Sequence, residues 1–100
     1  MIKHIVMWKL KENAAGADKS KNAEKVIERI TKLKGITPGM GVLEVGKDFN
    51  RSPNAFDLAL YSEFDSMDAL NDYQNHPDHV AVKDFLLEVT EERAVVDYEI

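Results

Sequence analysis

Two histidines and a tyrosine lie close together where a helix must break. Tyr73, His76 and His79 surround Pro77 in the segment YQNHPDH. A proline cannot continue a running helix but fits the first turn of a new one, so one helix is predicted to end here and another to begin. Tyr73 then lies in the last turn of the first helix and His79 in the first turn of the second. Such a bend can bring a phenol and an imidazole to one cavity, where the imidazole suits general-base chemistry.

Each of these side chains also has a structural interpretation. His79 could cap its helix or hydrogen-bond the loop, and Tyr73 could be a core residue whose hydroxyl finds a polar neighbour. His4 is the one polar residue on an apolar strand face, either as a pocket group or as a satisfied core histidine. No metal site is expected at His76 and His79, because Pro77 disrupts the helical geometry that would place both rings on one face.

The composition predicts one small domain. The chain has 100 residues, of which 44% are hydrophobic, so residues 1–100 are expected to form a single domain. A net charge of −5 argues against nucleic-acid binding, and the absence of cysteine excludes disulfides and thiolate catalysis. The chain shows no signal-peptide core and no apolar run long enough to span a bilayer. We therefore expect a cytoplasmic protein with no membrane partner.

The apolar pattern predicts the order strand, helix, strand, strand, helix, strand. Residues 1–11 alternate with a period of two, and apolar residues spaced by three and four predict a helix over 17–34 with Gly35 as its C-cap. Strands are predicted over residues 40–49, 56–64 and 94–100. The second helix carries apolar residues on both sides of its break at Pro77: Met67, Leu70, Tyr73, Val82, Phe85, Leu86 and Val89.

This order predicts an α+β, ferredoxin-like βαββαβ fold with a four-stranded antiparallel sheet and both helices on one face. The first and third strands are expected to be central and parallel to each other. The uncovered face of the sheet is expected to carry Ile5, Met7, Leu43, Val45, Ala59, Tyr61 and Val95. Because so apolar a face needs covering, we expect a homodimer in which two sheets stack to form an α/β barrel.

Three segments together resemble the stress-responsive dimeric α/β-barrel family. They are the opening strand KHIVMWKLK, the segment from Asp72 to His79, and Val96-Asp97-Tyr98. The likeness spans essentially the whole chain. One member of that family is a plant polyketide cyclase, and the resemblance to it implies roles for three residues. His79 would be the catalytic base, Tyr73 would donate a hydrogen bond to the carbonyl that becomes an alkoxide, and His4 would bind the substrate. Trp8 replaces a smaller apolar residue, and as a pocket residue it could shrink or plug the site.

The resemblance implies a small-molecule-binding homodimer that acts without a cofactor as a polyketide cyclase-like or lyase-like enzyme. Its ligand is expected to be a small phenolic or β-keto compound. Two alternatives stay open: a non-enzymatic, stress-associated structural dimer, and a cofactor-independent monooxygenase. An enzyme needs an open cavity that reaches His79, whereas in a structural dimer Trp8 and Tyr73 would fill that space.

Overall fold

The main sheet is organised around the first strand of the chain. A computed structural model describes residues 1–100. The elements are β1 (Ile2–Leu10), β2 (Asn13–Ala14), β3 (Ala17–Asp18), α1 (Lys19–Thr31), β4 (Met40–Lys47), β5 (Leu58–Phe64), α2 (Met67–Asn75), α3 (Pro77–Val89) and β6 (Thr90–Glu99). The strand order is β4-β5-β1-β6, and every neighbouring pair is antiparallel.

This topology confirms the α+β, ferredoxin-like fold with a four-stranded antiparallel sheet. The expectation that the two central strands run parallel is wrong, because β1 and β5 pair antiparallel. The strand–helix–strand unit from β1 through α1 to β4 makes β1 and β4 parallel, and β5 lies between them with the opposite direction. A short hairpin of β2 and β3 lies between β1 and α1, and Ala15 and Gly16 at its tip both have positive φ.

The helix-facing side of the sheet, called here the inner sheet face, carries the core. Alternation along β1 sends every second side chain to this face. The largest fully buried apolar side chains come from both layers: Val6, Leu10, Val26, Ile30, Leu58, Phe64, Tyr73 and Val89. The sheet and helices therefore close one continuous core beneath α1, α2 and α3.

Several element boundaries differ from the sequence prediction. Helix α1 begins after Asp18, whose carboxylate accepts a hydrogen bond from the Lys21 N–H, and it ends at Thr31. Gly35 as C-cap is therefore wrong, although Gly35 does have a positive φ in the turn that follows. Strand β4 ends two residues early, β5 begins two residues late, and β6 begins at Thr90 instead of residue 94. Propensity fixes such ends poorly because tertiary pairing extends or trims them.

The opposite side of the sheet, called here the outer sheet face, has no helix on it. It comprises Lys3, Ile5, Met7, Val42, Glu44, Ala59, Tyr61, Glu63, Ala94, Val96 and Tyr98. The expectation for Leu43, Val45 and Val95 is wrong, since all three pair with inward-facing residues and lie on the inner sheet face. An irregularity between Met40 and Leu43 shifts the alternation of β4. In β6 the adjacent residues Val95 and Val96 are both apolar, and the prediction placed the wrong one on the outer face. The wider alternation does distinguish the two faces: Ala94, Val96 and Tyr98 on the outer face, and Arg93, Val95, Asp97 and Glu99 on the inner face.

Close packing between α2 and the turn before β4 depends on a glycine. Gly39 has φ +84°, and a Cβ there would lie 2.8 Å from Ala69 Cβ in α2. Its carbonyl accepts a hydrogen bond from the Asp65 N–H at 2.9 Å. This contact fixes the start of α2, the helix that carries Tyr73. No helix of the structure is long and apolar enough to cross a lipid bilayer.

Candidate functional site

A cavity of about 310 Å³ lies between the inner sheet face and α3. Its lining comes from β1, β5, the end of α2, α3 and β6: His4, Val6, Trp8, Leu60, Gln74, His79, Lys83, Leu86, Leu87, Thr90 and Arg93. Both histidines singled out in the sequence as pocket groups therefore border one space. We call this space the His79 cavity.

The break between α2 and α3 aims His79 at the cavity. Helix α2 ends at Asn75, and His76 has extended backbone with ψ 135°, which a residue before proline prefers. The His76 ring caps the new helix, with Nδ1 accepting a hydrogen bond from the Asp78 N–H at 3.0 Å. His76 is thus a capping residue outside the cavity lining. The structure brings together no group of three or more metal-binding side chains.

His79 is held in one tautomer by a backbone carbonyl in the last turn of α2. Its Nδ1 lies 3.1 Å from the Gln74 carbonyl oxygen, which can only accept, so Nδ1 carries the hydrogen and donates it. Nε2 is then left with a free lone pair. The structural interpretation expected a hydrogen bond to the loop, but the acceptor lies in the last turn of α2. His79 also lines the cavity.

Burial keeps the His79 ring neutral. Desolvation lowers the pKa of His79 below its usual 6.5, and the nearby Lys83 and Arg93 charges act in the same direction. The hydrogen bond to Gln74 opposes this shift without reversing it. A neutral imidazole with a free Nε2 at pH 7 has the protonation state that a general base requires.

Tyr73 packs behind His79 and does not line the cavity. It is 1% exposed, and its ring meets the His79 ring edge-on at a centroid distance of 4.6 Å. Phe64 contacts its other side at 5.2 Å. Burial alone raises the pKa of the Tyr73 phenol to about 12. The hydroxyl therefore stays protonated at physiological pH, as a hydrogen-bond donor must, while the ring supports His79.

His4 has a carboxylate partner that sequence reasoning missed. It is 2% exposed, and its Nδ1 is paired with an Asp97 carboxylate oxygen from the neighbouring strand β6. This pairing leaves Nε2 as the His4 nitrogen available to a ligand. A carboxylate that orients a functional imidazole is a common device in protein sites. Asp97 stands in a recognised sequence segment, yet its role depends on strand register, which a single sequence does not supply.

Trp8 forms a wall of the cavity without closing it. The side chain is 3% exposed and lies on the inner sheet face opposite Arg93. Space of about 310 Å³ stays open beside it, near the lower end of the range of small-molecule sites, about 300–1,000 Å³. Gln74, Lys83 and Arg93 are further lining residues that no sequence motif indicated.

Larger depressions lie elsewhere on the chain. One of about 550 Å³ lies on the outer sheet face beneath residues 48–56, and one of about 640 Å³ lies beside the start of α1. Neither is lined by a histidine. We place the candidate site at the smaller His79 cavity because it alone joins a neutral imidazole, a second imidazole and an apolar wall.

Known proteins share this arrangement of elements. A dimeric protein of unknown function with a ferredoxin-like fold from Bacteroides fragilis is 37% identical, with a TM-score of 0.85, and 99% of this chain covers 95% of that one. A Dabb family protein from Mesorhizobium loti is 26% identical, with a TM-score of 0.77 and coverages of 99% and 95%. A hydroxynitrile lyase from Passiflora edulis has 21% identity, a TM-score of 0.81 and coverages of 99% and 92%, a likeness of fold alone.

No curated protein matches the chain significantly. The family model described as Stress responsive A/B Barrel Domain matches residues 2–100. The protein therefore belongs to the stress-responsive A/B barrel (Dabb) family.

Proposed function

We propose that the protein is a small-molecule-binding enzyme that works without a cofactor and removes a proton from carbon in a β-keto or phenolic compound. The reaction class is a cyclase-like or lyase-like one. The observation that carries the proposal is the state of His79: neutral, with Nδ1–H bound to Gln74 and Nε2 free, in the wall of an open cavity.

The chemistry follows from the placement of the side chains. A C–H bond between two carbonyls is acidic, and a neutral imidazole is a suitable acceptor for its proton. His79 Nε2 takes the proton, and the negative charge moves to a carbonyl oxygen. A hydrogen-bond donor at that oxygen stabilises the charge. The donor role expected for Tyr73 does not fit its place behind the cavity wall, so we assign Tyr73 the support of the His79 ring. We assign binding of the substrate to His4, oriented by Asp97, and to the Trp8 ring.

Two features favour this proposal over a purely structural dimer. The cavity beside Trp8 is open, and Tyr73 packs behind His79 instead of filling the space. The cavity also contains two imidazoles, which an inert core does not require. Lyase chemistry is known on this fold, as the name of the Passiflora edulis protein shows.

Carbon-bound proton exchange tests the proposal before a substrate is known. Deuterium incorporation from D₂O into a panel of β-keto amides and β-keto thioesters is followed by ¹H NMR, relative to the buffer-catalysed rate. The wild type should accelerate exchange of at least one compound, and His79→Gln should lose about 10²-fold or more of that acceleration. His76→Gln is the matched control, since His76 lies outside the cavity lining, and it should keep the activity.

Two results would contradict this assignment. Equal exchange rates in the wild type and His79→Gln would remove His79 as the base. Consumption of dioxygen with an electron-rich phenol, measured with an oxygen electrode, would support the monooxygenase alternative instead.

The cytoplasmic location inferred from the sequence stays a prediction.

We further propose that two copies of the chain pair through the outer sheet face. Its apolar members Met7, Val42, Val96 and Tyr98 are 36–58% exposed. Exposed apolar surface on a soluble domain often marks a site of contact with another protein. The similar Bacteroides fragilis protein is described as dimeric. Such pairing leaves the His79 cavity, on the inner sheet face, accessible in each copy.

A further inference from the structure

The walls of the His79 cavity carry positive charge and no negative charge. Among its eleven lining residues are the two cations Lys83 and Arg93, and none is acidic. The chain as a whole has 18 acidic and 13 basic residues, so this local excess of cations runs against the composition. Asp97, the carboxylate that pairs with the lining residue His4, lies outside the lining.

The two cations face the cavity from opposite elements. Lys83 lies four residues after His79, one turn further along α3, whereas Arg93 lies on β6 next to Trp8. Both belong to exposed positions at the edge of the cavity. Their charges reach the buried part of the site, since each lowers the pKa of His79.

Neither cation is used within the chain. The lysines that form ion pairs are Lys3, Lys9, Lys19 and Lys32, each with a nearby Asp or Glu. Lys83 and Arg93 form no ion pair and donate no side-chain hydrogen bond, although they stand in an acidic chain. Their side chains are therefore available to a negatively charged group that enters the cavity.

We propose that the ligand of the His79 cavity is a carboxylate, held at the rim by Arg93 and Lys83. This inference rests on the proposed function and adds the charge of the substrate to it. The guanidinium presents paired N–H donors that match the two oxygens of a carboxylate. The apolar body of the ligand lies against Trp8 and Leu86, with its reactive carbon towards His79. A cavity of about 310 Å³ suits a single ring with a short side chain.

A pair of ligands that differ only in charge tests the proposal. Benzoylacetate and benzoylacetamide share the ring and the β-carbonyl, and the amide replaces the carboxylate with a neutral group of similar shape. Affinities are measured by isothermal titration calorimetry at low and moderate NaCl. The wild type should bind the acid about 10-fold or more tightly than the amide, a difference of about 1.4 kcal/mol, and added salt should reduce it.

Charge-removing variants locate the effect. Arg93→Gln and Lys83→Gln should each lower the affinity for benzoylacetate, while the affinity for benzoylacetamide should stay within about twofold of the wild-type value. The double variant should bind the acid and the amide equally. Lys34→Gln is the matched control, because Lys34 is exposed and lies outside the cavity lining. Phenyl phosphate is included as a second anion. If it binds more tightly than benzoylacetate, the carboxylate proposal is wrong and the ligand carries a phosphate instead.

The outcomes separate this inference from the proposed function. If the wild type binds the acid and the amide with equal affinity, the proposal of a carboxylate ligand is wrong. If the double variant still prefers the acid by the same factor, Arg93 and Lys83 do not bind the carboxylate. In both cases, weaker binding of both ligands to His79→Gln would leave the proposed function standing. Binding of neither ligand, together with no proton exchange across the β-keto panel, would overturn both.

Discussion

Replacing Tyr73 by phenylalanine removes one oxygen atom and leaves the ring in place. The contacts with Phe64 at 5.2 Å and His79 at 4.6 Å are ring contacts, so the variant keeps them. The hydroxyl is largely desolvated and forms no hydrogen bond with another residue, and desolvation is the one cause of its raised pKa. At pH 8 we therefore expect the free energy of unfolding to be unchanged or to rise by up to about 1 kcal/mol, because burying an unpaired hydroxyl costs about 1–3 kcal/mol.

The comparison becomes sharper at alkaline pH. The phenol has its ordinary pKa of 10.0 in the unfolded chain and a pKa of about 12 in the folded protein. Below pH 10 both states hold the proton. Above it the unfolded chain releases the proton first, so wild-type stability falls as pH rises. Relative to Tyr73→Phe, the wild type should lose about 1.4 kcal/mol by pH 11.

Urea denaturation followed by circular dichroism at pH 8, 9, 10 and 11 measures this difference. Subtracting the unfolding free energy of Tyr73→Phe from that of the wild type cancels the contribution of the lysines and of the remaining tyrosines, which titrate in both proteins. A difference in unfolding free energy that stays constant from pH 8 to pH 11 would refute the buried, unpartnered phenol. A loss of more than about 1 kcal/mol in the variant at pH 8 would show that the hydroxyl has a partner.

Three further predictions concern other parts of the account. Because burial lowers the pKa of His79, wild-type stability should fall as pH drops from 7.5 to 5.5, and His79→Gln should flatten that dependence in urea titrations; parallel curves would contradict the buried neutral ring. Asp97→Ala should cost about 1–3 kcal/mol by leaving His4 unpaired, and Asp97→Asn clearly less, while equal losses would argue against the pair. Met7→Glu on the outer sheet face should yield monomers in light scattering, whereas Met67→Glu, an exposed control on α2, should not; a dimer in both would move the interface elsewhere.

Most of the fold could be predicted from periodicity. The alternation in β1, the three-four spacing in α1 and the proline between α2 and α3 each have a direct local cause. What failed was long-range geometry. The relative direction of β1 and β5 depends on pairing partners, and the phase of β4 depends on the irregularity after Met40. The phase of β6 could have been predicted from the alternation of Ala94, Val96 and Tyr98, but the prediction followed Val95 instead. The local spacing of apolar residues specifies neither the strand direction nor the irregularity in β4.

The candidate site shows the consequence of such a phase error. Placing Val95 on the outer sheet face also places Asp97 there, two residues on, and so hides the partner of His4. His4, Trp8 and His79 were identified from types and motif, and the structure brings all three to one cavity. Lys83 and Arg93 were not identified, because an exposed cation in a sequence looks the same whether it faces water or a cavity rim.

The most direct test of the account is to map where a small molecule binds. Amide chemical shifts in ¹H–¹⁵N NMR are followed as a panel of β-keto and phenolic compounds is titrated into the ¹⁵N-labelled protein. The account predicts that the largest shifts fall on residues 74–83 and 90–93, which surround His79. Shifts confined to the outer sheet face and residues 48–56, or no saturable shifts with any compound, would contradict a ligand site at the His79 cavity.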